Sequence, residues 1–159
     1  ILRCLVGSEM CIRDRFYMAK VAIVYWSGSG NTEAMAQAIE NAAKDAGAET
    51  TLSFVSDTTA SDVAAFDHII LGCPAMGNEE LEEYEFEPFF AELLPQLKGK
   101  IVGIFGSYAW NQGDWIVTWK QRLNDAGVEL ISEPVKAYSY PDDEALAACA
   151  ALGKAVANA

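Results

Sequence analysis

The clearest pattern in the chain is Val21-Ala22-Ile23-Val24-Tyr25-Trp26, an apolar run, followed directly by Ser27-Gly28-Ser29-Gly30-Asn31-Thr32. A helical pattern continues from there over residues 33–46. A buried strand, a loop of glycine and hydroxyl residues and a helix, in this order, are typical of a phosphate site. The free N–H groups of the first helical turn and the helix dipole both attract an anion. The sequence therefore predicts that a phosphate group binds at this helix N-terminus.

The composition of the loop narrows the kind of ligand. It contains three hydroxyl groups, one amide and two glycines, and it has no Lys or Arg. A P-loop needs a Lys after its last Gly, and a Rossmann fingerprint needs a third Gly and a later acid for the ribose. Neutral dipoles around a single phosphate suit a mononucleotide instead.

The overall composition is that of an acidic domain. The chain has 159 residues, enough for a core that folds alone, and a formal net charge of −12. This charge argues against binding to nucleic acid or to anionic membrane surfaces, because both need basic patches. No apolar run approaches the roughly 20 residues of a membrane-spanning helix.

Residues 1–17 do not share the pattern of the rest and are expected to be a non-native or disordered extension. The stretch 5–14 resembles the translation of sequencing-adapter DNA, so the folded domain is expected to span 18–159. Two of the four cysteines, Cys4 and Cys11, lie in this extension. Cys73 and Cys149 alone form no disulfide framework, which favours the reducing cytoplasm.

Strand-like apolar runs alternate with helical patterns along residues 18–159. Strands are predicted at 21–26, 51–55, 68–73, 101–107 and 129–135, the last open to extension as far as 138, and helices at 31–46, 87–97, 114–126 and 142–157. Gly47, Gly99 and Gly127 follow three of the helices as C-terminal caps, and Asp142 suits the N-cap of the last. The alternation predicts right-handed crossovers and an α/β fold with a doubly wound parallel sheet.

Two more loops carry unusual residues after strands three and four, at 74–80 and 108–113. In a doubly wound sheet the ligand lies beyond the C-terminal ends of the strands, so these loops should converge on the phosphate loop. Met76 on one loop and Trp110 on the other could enclose a flat aromatic ligand between them.

Over essentially their full length, residues 18–159 resemble the short-chain flavodoxins of the clostridial and Megasphaera type. The resemblance rests on the stretches 25–33, 75–77, 85–89 and 105–108, and on a fifth strand without a long insertion. It implies a flavodoxin-like sheet of five parallel strands in the order 2-1-3-4-5, with helices on both faces, and FMN as the cofactor. The residues that it places around FMN are Ser27, Gly28, Ser29, Gly30, Asn31, Thr32, Pro74, Ala75, Met76, Gly77, Asn78, Glu79, Ser107, Tyr108, Ala109 and Trp110.

The resemblance also implies individual roles for these residues. Ser27, Ser29, Asn31 and Thr32 would hold the FMN phosphate, Met76 and Trp110 would cover the two faces of the flavin, and Glu79 would accept from flavin N3–H. The Gly77–Asn78 peptide would flip on reduction. Type II and type II′ turns differ in the orientation of their central peptide, so such a flip would convert one turn type into the other. Three residues depart from the family pattern: Pro74 has no N–H to donate, Ala109 replaces a Gly, and Asn78 replaces an acidic or hydroxyl residue.

The implied function is that of a monomeric one-electron carrier that shuttles between semiquinone and hydroquinone and has no turnover of its own. Its partners would be redox proteins with basic docking surfaces, such as ferredoxin-dependent oxidoreductases or reductases. The alternative is an FMN-dependent NAD(P)H:quinone reductase of the same fold, although such enzymes carry longer insertions. A signalling receiver domain would need acidic residues after strand one and an Asp at the end of strand three, where this chain has Trp26-Ser27 and Cys73-Pro74.

Several other residues have structural interpretations. Cys73 is expected to be a small core residue, Trp26, Trp115 and Trp119 to be packing residues, and His68 to lie at the end of the sheet away from the site. The acidic run of Glu79, Glu80, Glu82, Glu83, Glu85 and Glu87 is either a solvated face or a determinant of redox potential and partner choice.

Overall fold

A parallel sheet of five strands forms the centre of the computed structural model, which describes residues 19–28, 30–76, 81–109 and 113–159. The predicted extension at 1–17 lies outside these residues. The strands are β1 (Lys20–Tyr25), β2 (Glu49–Phe54), β3 (His68–Gly72), β4 (Ile101–Tyr108) and β5 (Val135–Tyr138). Their spatial order is β2-β1-β3-β4-β5 and every pairing is parallel, which confirms the predicted order 2-1-3-4-5.

Helices cover both faces of the sheet. They are α1 (Asn31–Asp45), α2 (Ala60–Ala64), α3 (Phe86–Leu93), α4 (Asp114–Asp125) and α5 (Asp143–Ala157), with 3-10 turns at Val55–Asp57 and Leu94–Gln96. One core lies between the sheet and α1 and α5. The other lies under α2, α3 and α4. No helix in the described part of the chain is long and apolar enough to span a membrane.

The apolar run predicted as a strand at 21–26 forms the strand β1, inside the sheet. Its residues alternate between the two cores: Ile23 packs with α1 and α5, whereas Val24 packs on the opposite face. Because both faces of a doubly wound sheet are covered, the strand needs apolar residues at every position. This explains why the run is continuous rather than alternating.

The fifth strand was predicted at 129–135 with a possible extension to 138; the extension is confirmed, and the start at 129 is wrong. In the structure β5 is Val135–Tyr138, and Leu130 makes only an isolated bridge to Val102. Pro134, just before the strand, has no N–H for the ladder, so regular pairing can start only after it. The apolar residues at 128–131 belong to the approach to the strand rather than to the strand itself.

The helix ends follow the predicted capping residues. Gly47, Gly99 and Gly127 all have positive φ, and the Asp142 carboxylate accepts a hydrogen bond from Ala145 N–H at 2.8 Å. The short helix α2 was not predicted, since five residues are too few to show a helical period. Its N-cap is Thr59, whose hydroxyl accepts from Asp62 N–H at 3.1 Å.

Candidate functional site

The three predicted loops leave the sheet side by side. Tyr25 of β1 pairs with Gly72 of β3, which pairs with Phe105 of β4. Beyond the paired strands, Trp26 N–H donates to Gly72 O at 3.0 Å and Ala75 N–H donates to Ser107 O at 3.0 Å. The carboxyl ends of β1, β3 and β4 therefore form one edge, as a doubly wound sheet requires of its ligand site.

The loop after β1 wraps the N-terminus of α1. Gly30 is the N-cap residue and has a left-handed conformation with φ 93°. The hydroxyl oxygen of Ser27 accepts hydrogen bonds from Gly30 N–H at 3.1 Å and Glu33 N–H at 3.3 Å. Since its oxygen accepts both bonds, the Ser27 hydroxyl hydrogen is left to donate to an anion at this helix end. Ser29 lies outside the described residues.

Two buried hydroxyls join the first turn of α1 to the end of β4. Thr32 is 1% exposed, and its Oγ1 lies 3.3 Å from Oγ of Ser107, which is also buried. A hydroxyl pair shares one hydrogen, so at least one lone pair and one hydrogen remain for a further partner. The sequence pattern placed Thr32 at the end of the first loop and Ser107 at the end of the fourth strand, and the fold makes them one polar group at the helix end.

The loop after β3 begins in a defined conformation. Ala75 is buried and is tied to β4 through its N–H, while Pro74 and Met76 on either side are partly exposed. A partly exposed thioether at this edge suits the predicted contact with a flat ring. Gly77, Asn78 and Glu79 lie outside the described residues.

The loop after β4 begins with an aromatic cluster. The ring of Tyr108 lies 5.7 Å from that of Trp115 and 5.4 Å from that of Tyr138, between centroids. Lys136 Nζ lies 6.0 Å from the centre of the Tyr108 ring, which places a cation near this edge of the sheet. Ala109 is exposed, and Trp110 lies outside the described residues.

The acidic run is not a uniform solvated face. Glu82 is 4% exposed, and its carboxylate accepts from the N–H groups of Tyr84 at 2.9 Å, Glu85 at 2.6 Å and Phe86 at 3.1 Å. These bonds cap the start of α3. A carboxylate at this position is favoured by the helix dipole as well. Sequence reasoning missed this role, because Glu82 is one of six similar acids in the run.

Two other acids of the run also have protein partners. Glu85 Oε1 accepts from Trp26 Nε1–H at 3.1 Å, and Glu87 makes a two-point ion pair with Arg122 at 2.7 and 2.8 Å. Glu83 is exposed. The interpretation of the run as a solvated face therefore fails at Glu82 and holds at Glu83, while Glu79 and Glu80 lie outside the described residues.

The remaining interpretations are confirmed. Cys73, Trp115 and Trp119 are buried in the core, and Trp26 packs against it. Burial raises the pKa of the Cys73 thiol far above its ordinary value, which removes it as a nucleophile.

The one histidine of the sequence lies away from the site. His68 begins β3, so it stands at the end of the sheet opposite the three loops. Its Nε2 lies 3.2 Å from the carbonyl oxygen of Ala159 at the end of the chain. The imidazole therefore contacts the chain terminus and takes no part in the ligand site.

Comparison with known proteins gives the family. Residues 23–153 match the family model described as Flavodoxin. The chain is 52% identical over 139 residues to a flavodoxin of Megasphaera elsdenii, which covers 87% of this chain and 99% of the relative. It is 43% identical over 136 residues to a flavodoxin of Clostridium beijerinckii, covering 86% and 98%. The solution structure of two-electron reduced Megasphaera elsdenii flavodoxin superposes with a TM-score of 0.80 at 52% identity, covering 87% of this chain and 99% of that one. The chain therefore belongs to the flavodoxin family, whose members are electron carriers that bind FMN.

Proposed function

We propose that this protein is a low-potential carrier of single electrons that binds FMN at the edge formed by β1, β3 and β4 and has no turnover of its own. The observation that carries the proposal is the buried pair of Thr32 and Ser107 hydroxyls beside the N-terminus of α1. The two residues belong to α1 and β4 and are 75 apart in sequence, and together they offer neutral hydrogen-bond groups to one phosphate.

The donors at this helix end fit an FMN phosphate. The loop has no basic residue, so attraction must come from hydroxyls, from backbone N–H groups and from the partial positive charge of the helix end. These groups can balance the charge of one phosphate, and the loop has no basic side chain for a second. This supports FMN over FAD, whose pyrophosphate would need a different loop.

The proposed binding residues are those implied by the sequence. The described ones are Ser27, Gly28, Gly30, Asn31, Thr32, Pro74, Ala75, Met76, Ser107, Tyr108 and Ala109, and those assigned by sequence alone are Ser29, Gly77, Asn78, Glu79 and Trp110. FMN, when bound, supplies the group that gains and loses electrons. The chain supplies the phosphate contacts, and the side chains of Met76 and Trp110 shield the ring from water.

The charge of the protein supports a low potential for the second electron. The formal net charge is −12, and the exposed Glu83 and the Glu85 carboxylate lie between the β3 loop and α3. Adding an electron to a group already beside a phosphate brings like charges together, which costs free energy. We expect the second electron to enter at a lower potential than in free FMN, so that the fully reduced protein is a strong reductant.

The same acidic surface suits redox partners with basic docking surfaces. The protein would meet these partners as a monomer. Long-range attraction between opposite charges speeds encounter and weakens as salt screens it. In the described part of the chain Cys73 and Cys149 are buried free thiols, which is compatible with a reducing cytoplasm. Electron transfer to a basic acceptor should therefore slow as ionic strength rises, as stopped-flow measurement would show. A rate that does not depend on salt would contradict the docking proposal.

The function is tested on the purified protein. Ligand released by heat should run as FMN on chromatography, and stepwise reduction should show two separate one-electron steps. Added NAD(P)H should not be oxidised beyond one equivalent of flavin. FAD as the main ligand, a single two-electron step or sustained NAD(P)H oxidation would each contradict the proposal, and the last would favour a reductase.

A further inference from the structure

Cys73 is held from three sides where β3 ends. Its N–H donates to Phe105 O at 3.2 Å, and its carbonyl accepts from Trp115 Nε1–H at 3.0 Å. A Cβ on Gly106 would lie 2.2 Å from the same carbonyl oxygen, so a glycine is required for this close approach. The backbone of Cys73 is therefore fixed against β4 and α4 before the loop begins.

The thiol of Cys73 reaches the far end of the same loop. Its Sγ accepts from Glu82 N–H at 3.3 Å and donates to Pro74 O at 3.5 Å. Only the protonated thiol can do both, and burial keeps the thiol protonated by raising its pKa. The side chain thus links residues nine apart in sequence.

The far end is itself anchored. The Glu82 carboxylate caps α3. The backbone carbonyl of Glu82 also accepts from Glu87 N–H at 2.8 Å. The hydrogen bond from Glu82 N–H to the Cys73 thiol therefore connects the thiol to the start of α3, a helix packed on the core. One sulfur atom therefore connects the end of β3 with the residue that caps α3.

We infer that Cys73 is a positioning residue for the cofactor: its thiol sets the spacing of the two loop ends and so the place of Ala75 and Met76 against the flavin. The inference rests on the proposed function, because these residues matter to redox chemistry only if FMN binds beside them. Small displacements of groups around a cofactor change its affinity in the two redox states unequally. Cys73 therefore acts on the reduction potential through the loop, without contact with the flavin.

The test compares holoprotein variants at two buried thiols. Cys73→Ala and Cys73→Val both remove the acceptor for Glu82 N–H, Ala by leaving a cavity and Val by adding a methyl group, while Cys73→Ser keeps a donor and an acceptor. The matched control is Cys149→Ala, because Cys149 is an equally buried free thiol on the opposite face of the sheet. Each variant is measured by stepwise reduction, by FMN titration and by urea unfolding.

We expect Cys73→Ala and Cys73→Val to change the ratio of FMN affinities in two successive redox states by about fivefold. This corresponds to a shift of about 40 mV in one of the two potentials, at 59 mV per factor of ten. Cys73→Ser should stay closer to wild type than either. Cys149→Ala should lower stability and leave both potentials unchanged. If Cys73→Ala does not fold, Cys73→Val carries the comparison.

Two outcomes would overturn the inference. If the Cys73→Ala and Cys73→Val variants have the potentials and FMN affinity of the wild type, the thiol only fills space in the core. An equal shift in Cys149→Ala would show that any cavity in the core has the same effect. A wild-type protein that binds no FMN would instead contradict the proposed function, so the two failures are distinguishable.

Discussion

Replacing Glu82 by Gln should destabilise the protein although the two side chains have the same shape. In the structure Oε1 accepts from two N–H groups, those of Glu85 and Phe86, and Oε2 accepts from Tyr84 N–H. A Gln can place its one oxygen at the Oε1 position. Its NH₂ group then faces Tyr84 N–H, a donor against a donor, in a place that is 4% exposed.

The magnitude follows from these three bonds. A hydrogen bond to a charged group contributes about 1.5–3 kcal/mol and a neutral one about 0.5–1.5 kcal/mol. Glu82→Gln loses one charged bond and turns two others into neutral ones, and it also removes a negative charge from the N-terminus of α3. Taking the lower end of each range, we expect a loss of about 4 kcal/mol in the free energy of unfolding. For a domain of this size that lowers Tm by about 10 °C.

The assay is urea and thermal unfolding of the FMN-loaded protein, followed by circular dichroism at equal FMN excess. Glu83→Gln is the control, because Glu83 is exposed and adjacent in sequence. It should change stability by no more than about 0.5 kcal/mol. Equal effects of the two substitutions would refute the assignment of Glu82 to the fold and return it to the solvated acidic surface.

Three further predictions concern other buried groups. Thr32→Val removes one hydroxyl of the Thr32–Ser107 pair, and should weaken FMN binding by about 1–3 kcal/mol in a fluorescence titration; unchanged affinity would remove the pair from the phosphate site. Gly72→Ala places a Cβ 2.2 Å from the Phe105 ring and should cost about 1–3 kcal/mol of unfolding free energy; an unaltered Tm would mean that the ring moves freely. Burial raises the pKa of Cys149 from 9.0 to about 12, so above pH 9 the unfolded chain releases a proton that the folded chain keeps. The free energy of unfolding should therefore fall between pH 9 and 12, by up to about 1.4 kcal/mol per pH unit for this thiol, and Cys149→Ala should show a flatter fall.

Local patterns were enough to predict the layers of the fold, and the proposed site also rests on them. The continuous apolar runs of β1, β3 and β4 identify strands covered on both faces, because that burial requires apolar residues at successive positions. The Ser27–Thr32 loop predicts a phosphate at the N-terminus of α1, since the groups that would attract the anion belong to adjacent residues. Each of these signals comes from neighbours in the chain.

The fifth strand shows where local pattern misleads. Residues 129–135 are apolar enough for a strand, yet Pro134 delays the ladder to Val135, and only pairing with β4 shows where hydrogen bonds form. Apolar composition indicates contact with the core, and Leu130 and Ile131 make such contact, partly buried, without belonging to the strand. Pairing must be known before the two can be distinguished.

Tertiary structure alone decided the polar contacts inside the site. Thr32 and Ser107 are 75 residues apart, Cys73 and Trp115 are 42 apart, and Glu82 looks like its acidic neighbours until its carboxylate is seen over the start of α3. Hydrophobic periodicity is a property of one segment and can be read from that segment. A hydrogen bond between distant residues forms only because the packing of the sheet and helices brings a particular donor within about 3 Å of a particular acceptor. That distance cannot be read from the sequence around either residue.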